Sequence, residues 1–320
     1  MRAGRRGSWL LAAVGGAVVI ALPLLLNAYV SSYLLILLSQ SLISGILAMS
    51  LNLLLGYAGL PSLGHAAYLG VAAYATAILA TRYQVGFWQA LGVGVLLACA
   101  VAAVFGLIAI RGRGVYFLMI TLALAMVVWG LAYRWVSVTA GDNGIPGIPR
   151  PSLGLPWSLR DPVPWFYFCL LFFLAVAGLM ALVVRSPFGR SLVGIRESES
   201  RMRVLGYHVW LHLYIAFVLA GTLGGVAGVL WAYYNGFVSP VDVELVTSVE
   251  VLLMVALGGP GTLLGPALGA FLIVFLKNLV SVYTHRWLLI LGGMYILTIL
   301  YAPQGILGAL RGMRREGRAA

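Results

Sequence analysis

The chain has 320 residues, of which 62% are hydrophobic and only 9% charged, and it carries a formal net charge of +12. That composition excludes an ordinary water-soluble globule, and the apolar residues come in continuous runs rather than the alternating pattern of barrel strands, so the class implied is an all-α polytopic membrane protein. In a soluble protein the positive balance would raise the question of nucleic acid; in a bilayer it chiefly sets orientation, and no nucleic-acid partner is expected.

From the N-terminus, apolar runs cover Trp9 to Leu26, Tyr33 to Leu55, Ala66 to Ala80, Phe87 to Ile110, Val115 to Tyr133, Pro164 to Val184 and Leu211 to Ala232. Three further segments end near Ala302; of these, Glu244 to Leu257 is short for a span, and Gly261 to Leu279 follows after almost no loop. A bilayer-crossing helix needs roughly 20 residues, so about ten transmembrane helices are expected. The first run lacks a clear small-x-small cleavage site before Tyr33, which favours a retained helix over a cleaved signal peptide. The whole chain, residues 1–320, reads as one transmembrane domain with a charged loop at 185–208 and a polar connection at 134–163. With Met1 inside, Arg2, Arg5, Arg6, Arg111, Arg113, Arg185 and the arginines of Gly189 to Gly206 fall on the cytosolic side, together with Arg311, Arg314, Arg315 and Arg318. This is the positive-inside pattern, and it leaves both termini in the cytoplasm.

Charge concentrates in Gly189 to Gly206 (GRSLVGIRESESRMRVLG), which holds Arg190, Arg196, Glu197, Glu199, Arg201 and Arg203 between two apolar runs. The island reads as a cytosolic loop that another protein could grip, or as a solvated loop that only enforces topology. Elsewhere chemistry is sparse. A P-loop needs lysine followed by Ser or Thr, and the one lysine, Lys277, precedes Asn278. The eight acids are scattered, and Cys99 and Cys169 sit in apolar helices without disulfide or metal-ligand spacing. No catalytic residue, cofactor or metal site is expected, and the energy for any transport must come from outside the chain.

Forty glycines imply close helix approach and, where clustered, broken helices. Two clusters resemble each other: Leu55-Gly56-Tyr57-Ala58-Gly59-Leu60-Pro61-Ser62-Leu63-Gly64-His65, and Leu257-Gly258-Gly259-Pro260-Gly261-Thr262-Leu263-Leu264-Gly265-Pro266. Each follows an apolar helix, carries Gly-x-x-Gly and leads into another apolar helix, as in a diverged internal repeat. Paired interruptions point to a translocation path, with Gly56, Gly59, Ser62, His65, Gly258, Gly259, Gly261 and Thr262 as candidates. The plainer alternative is tight loops between packed spans. For His65 a structural bond to a freed carbonyl is the expected role, for Glu250 an outward reach from the start of its helix, and for Lys277 a stem extended to the interface. Trp129, Trp135, Trp157, Trp165, Trp231 and Trp287 are expected to form an interfacial belt. The polar connection is either a turn-rich cap or an external gate or docking surface, with Thr139, Gly141, Asp142 and Asn143 as candidates.

Leu51-Asn52-Leu53-Leu54-Leu55-Gly56-Tyr57-Ala58-Gly59, followed by Ser62-Leu63-Gly64-His65-Ala66, resembles the signature of permease subunits of branched-chain amino-acid ABC transporters, the LivM-like family. Gly114-Val115-Tyr116-Phe117, Thr139 to Ile145, Gly189-Arg190 with Ile195-Arg196-Glu197, Gly258 to Ala270 and Pro303 to Gly308 match in order, so the resemblance covers roughly residues 33 to 308. It implies an importer subunit in a bacterial inner membrane, with a second permease subunit, two cytosolic ATPases, and a periplasmic or lipoprotein substrate-binding protein. It also implies that the island is the loop through which ATPase motion is transmitted by a short helix, with Gly189, Arg190, Arg196, Glu197, Glu199, Arg203 and Gly206 as its coupling residues. The chain departs from the family at Leu60-Pro61 (usually Gln), Ala140 (usually Gly) and Leu213 (often Lys), which leaves urea, short-chain amides and other small solutes open as substrates. An ion-coupled secondary carrier is the alternative mechanism.

Overall fold

The structure is a computed structural model that describes residues 32–151, 158–283, 287–301 and 305. The expected first helix Trp9 to Leu26, Trp157, and the arginines of both termini lie outside the described residues. Among the described residues there are twelve α-helices: α1 (Ser32–Asn52), α2 (His65–Thr81), α3 (Phe87–Ala109), α4 (Val115–Arg134), α5 (Val136–Thr139), α6 (Pro162–Arg185), α7 (Pro187–Glu197), α8 (Glu199–Val204), α9 (Val209–Asn235), α10 (Leu245–Gly258), α11 (Gly265–Tyr283) and α12 (Trp287–Tyr301). The chain is therefore all-α and polytopic.

Among the described residues, six helices are long and apolar enough to cross a membrane: α1 with the π-helical turn Leu53–Ala58 that continues it, α3, α4, α6, α9 and α11. The best apolar stretches of α1 and α9 are 67% buried, against 22% in α3, α4 and α6, so α1 and α9 lie inside and the other three face outward. Small residues explain how closely these layers meet. On α3, Ala90, Gly94, Ala98, Ala102 and Gly106 recur every four residues and are buried. On α9, a Cβ added to Gly221 would lie 2.3 Å from the Ala102 Cβ, and one added to Gly225 would lie 2.5 Å from the Ala98 Cβ. Lipid gives helices no hydrophobic reason to associate, so such stripes create the contact that van der Waals packing needs.

The expected span Ala66 to Ala80 is the helix α2, but its 17 residues and the 14 of α10 reach only about 25 and 21 Å at 1.5 Å per residue. Both fall short of a hydrocarbon core of about 30 Å. α2 tolerates this because it is an inner helix, with neighbours covering it along its length. A Cβ on Gly70 would lie 2.3 Å from a Val243 methyl, so the 3₁₀ turn Pro240–Val243 packs against the middle of α2.

Charged and irregular segments separate into two faces. On one, the α1–α2 and α10–α11 breaks meet the α7–α8 island, joined by Arg113 from the α3–α4 turn through an ion pair of 2.6 Å with Glu199. On the other, the polar connection is more structured than a turn-rich cap. It contains α5, a 3₁₀ turn at Gly141–Asn143 and strand β1 (Ile145–Pro146), which pairs antiparallel with β2 (Phe237–Val238) in the register Ile145↔Val238 and Pro146↔Phe237. Arg82 ties this face together by donating to the carbonyls of Ser137 and Val138 at 3.3 and 2.9 Å.

Candidate functional site

The first break is built from a helix that widens into a π turn before it stops. After Asn52 the chain winds through the π turn, and Gly59 ends it in the left-handed region at φ 73°, its N–H donating to the Leu54 carbonyl. Helical continuation is impossible for an L-residue at this φ without strain, so glycine here fixes where α1 stops. The chain then passes buried Ser62, whose hydroxyl accepts from the Gly64 N–H at 3.1 Å, and re-enters a helix at His65. The second break is shorter. α10 ends at Gly258, Gly259 and Gly261 have φ of 110° and 78°, and the Thr262 hydroxyl donates to the Gly259 carbonyl at 2.8 Å before α11 begins at Gly265.

These breaks, more than 200 positions apart in the chain, touch. Fully buried Asn52 accepts from the Gly261 N–H at 2.9 Å and donates to the Thr262 carbonyl at 2.8 Å, so one amide satisfies a donor and an acceptor freed by the second break. The fit is close enough that a Cβ on Gly56 would stand 2.2 Å from the Gly261 nitrogen. Asn52 escaped notice as a functional residue in the sequence. Its signal is a lone amide inside an apolar helix, one turn ahead of the Gly-x-x-Gly.

The island reaches this junction. It is two helices rather than one, because Ser198, in an extended conformation, interrupts it and accepts from the Arg201 N–H as the N-cap of α8. Ser186 caps α7 in the same way, accepting from the Gly189 N–H at 3.3 Å. Gly189 lets α7 fold back against α6, since a Cβ there would lie 2.4 Å from the Val184 carbonyl oxygen. Gly206, at φ 86°, closes α8 as a left-handed cap. From the end of α7, Arg196 donates to the Gly56 carbonyl. A Cβ on Gly59 would strike the Arg196 Cγ at 2.6 Å, and one on Gly261 would lie 3.4 Å from its Nη1. One guanidinium therefore lies against both breaks.

The remaining candidates divide. Arg190, Glu197, Arg201, Arg203 and Gly206 face outward on the island, and Glu199 bridges Arg113 and Arg203. His65 is fully buried, edge-on to Tyr68 at 5.6 Å, and neither ring nitrogen completes a hydrogen bond among the described residues, although the Ser50 backbone adjoins it; the expected bond to a freed carbonyl is not formed. Thr139, Gly141, Asp142 and Asn143 lie on the opposite face. The Thr139 hydroxyl donates to the Ala132 and Trp135 carbonyls at 2.7 and 2.8 Å, while Asp142 and Asn143 are exposed. Glu250 and Lys277 do not reach outward as expected but pair with each other at 2.8 Å. Of the tryptophans expected in the interfacial belt, Trp165 and Trp231 have partners within the protein. Trp165 is buried beneath Arg150, whose Cζ lies 4.9 Å from the ring centre, and Trp231 donates to Asp242 at 2.9 Å.

An apolar helical bundle in which two interrupted hairpins meet beneath a charged helix suits a multi-pass membrane protein. Residues 33–300 match the family model described as the branched-chain amino acid transport system permease component. The chain is 32% identical over 289 residues to the high-affinity branched-chain amino acid transport system permease protein LivM of Escherichia coli K12, covering 83% of this chain and 68% of that one. It is 25% identical over 312 residues to a probable LivM of Methanocaldococcus jannaschii, covering 82% and 89%. Over 211 residues it is 28% identical to the autoinducer 2 import system permease protein LsrC of Klebsiella pneumoniae, covering 63% and 59%. No solved structure matches it. The chain belongs to the branched-chain amino acid transport permease family, and it is a LivM-like permease subunit of an ABC importer.

Proposed function

We propose that this subunit moves branched-chain or other small neutral amino acids across a bacterial inner membrane, powered by two cytosolic ATPases that hold α7 and α8. A homologous second permease subunit completes the path, and a periplasmic or lipoprotein binding protein delivers the solute to the face bearing the 134–163 connection, where exposed Asp142 and Asn143 offer polar contacts. The single observation that carries this reading is Arg196, which leaves the island to bond the Gly56 carbonyl and pack on Gly59 and Gly261. A rigid helix fastened to both breaks transmits a partner's displacement, whereas a floppy loop would absorb it. Beyond Arg196 the island exposes Val204, Leu205 and Tyr207 beside Arg201 and Arg203, an apolar patch with a basic rim suited to a protein groove. The translocation path then includes the inner ends of the two hairpins, with Ser62, His65, Gly258, Gly259 and Thr262 around it. With the island inside, both termini face the cytoplasm.

The test is reconstitution of the complete importer. ATP-dependent uptake of labelled leucine should require the binding protein, and Arg196→Glu combined with Glu197→Lys should leave insertion intact while abolishing uptake. Normal transport by that double variant contradicts the coupling assignment. Transport by the lone chain under an ion gradient would favour a secondary carrier. A second reading of the substrate rests on the LsrC likeness, since that relative imports autoinducer 2. Direct binding of candidate solutes to the receptor protein separates the two.

A further inference from the structure

Away from the island, α1, α10 and α11 enclose a chamber of about 140 Å³ closed on one side by the segment that joins β2 to α10. Its polar wall holds Gln40, Ser44, Asp242, Glu250 and Lys277, and its apolar wall includes Ile43, Leu47 and Ile273. Lys277 donates to Glu250 at 2.8 Å, with side chains only 34% and 13% exposed. Asp242 accepts from the Trp231 indole at 2.9 Å and from the Ser239 N–H at 3.0 Å, and no cation lies within ion-pair distance of it among the described residues. The chamber thus presents one cationic and two acidic side chains against aliphatic surface.

An ion pair inside a membrane protein is a poor source of stability, because desolvation offsets most of its attraction and an apolar replacement is often neutral or better. Ionisable groups inside a membrane-helix bundle are rare and commonly mark substrate or ion pathways. The charge pattern selects among solutes. A lone cation or anion entering between Glu250 and Lys277 would leave one charge of the pair uncompensated. A zwitterion converts one ion pair into two, its carboxylate meeting the ammonium group and its ammonium meeting a carboxylate. The volume is far below the roughly 300–1,000 Å³ of drug-sized sites, so the solute is small.

We propose that this chamber is a transit site for a small aliphatic zwitterion, with Lys277 receiving its carboxylate, Glu250 and Asp242 its ammonium group, and Ile43, Leu47 and Ile273 its side chain. The inference rests on the importer reading and supplies its substrate class from the chain's own residues.

The experiment uses the assembled importer in proteoliposomes, with labelled L-leucine as the probe. Glu250→Gln with Lys277→Met removes both charges without leaving either unpaired. Uptake should fall at least tenfold while the binding protein still stimulates ATP hydrolysis; uptake within twofold of the unaltered importer would show the pair to be structural and overturn the site. A second measurement needs no change to the pair. In a background lacking Cys99 and Cys169, Thr247→Cys, at the chamber wall, is labelled with a small neutral maleimide. Millimolar leucine should slow labelling at least threefold, while 3-methylbutylamine, isovalerate and urea should not. Equal rates with and without leucine, or protection by any single-charged or neutral analogue to the same degree, would overturn the proposal. Absence of ATP-dependent uptake by the unaltered, fully assembled importer would instead sink the underlying reading.

Discussion

The two glycine breaks look alike in sequence, yet they are held by different means. The second is backbone against backbone: a Cβ on Gly258 would lie 1.9 Å from the Gly265 carbonyl oxygen, and one on Gly269 would lie 1.9 Å from that of Met254. At these two contacts nothing can yield except the main chain, which packs α10 and α11 closely against each other. The first is held by side chains, with Asn52 bonding the other break, Ser62 capping the turn and Arg196 gripping the Gly56 carbonyl. Hydrogen bonds to side chains can be released and remade, and although Asn52 and Thr262 also bond within the second break, only the first lacks a helix pair locked backbone to backbone beside it.

The largest expected effect tests rigidity. Gly258→Ala or Gly269→Ala should destabilise the protein by more than about 3 kcal/mol, because overpacking here cannot be relieved by rotating a side chain. Gly178→Ala should not destabilise it, since a Cβ there meets nothing within 4 Å and alanine favours the helix. Thermal unfolding in detergent compares them, and equal tolerance of all three would erase the distinction between the breaks. Next, Asn52→Leu frees the second break from the first while leaving Arg196 in place. It strands the Gly261 N–H and the Thr262 carbonyl in a buried site, for an expected loss of about 2 kcal/mol in the same assay. On the opposite face, Ala140 occupies a left-handed conformation at φ 61°. Ala140→Gly should raise stability by about 1 kcal/mol, because only glycine takes this conformation without strain. Smallest is Glu199→Ala, which removes a partly exposed ion pair with Arg113 and should cost less than about 1 kcal/mol.

What the residue pattern revealed follows from what it encodes. Apolar runs report transfer into lipid, so α3 at Phe87–Ala109 and α6 at Pro162–Arg185 fall within two residues of the runs expected. The island stood out because charge is rare in this chain, and the paired glycine clusters located both breaks. The partners were not legible. Every small residue in a membrane helix looks like a packing residue, and only the relative rotation of the helices decides which ones meet. Hence the contact between Gly56 and Gly261, the role of Asn52 and the pairing of Glu250 with Lys277 emerge only in three dimensions. The division of the island at Ser198 was visible in principle, since a serine N-cap followed by acid in the first turn opens a helix, but proximity to Arg196 and Glu197 made it read as one charged stretch.

Whether Arg196 carries partner motion into the first break, as proposed, is read from the amount of leucine carried per ATP hydrolysed. In the reconstituted importer, Arg196→Ala should hydrolyse ATP at a near-normal rate while leucine carried per ATP falls at least tenfold. An unchanged ratio would contradict the account, because transmission would then run through some contact other than the bond to Gly56.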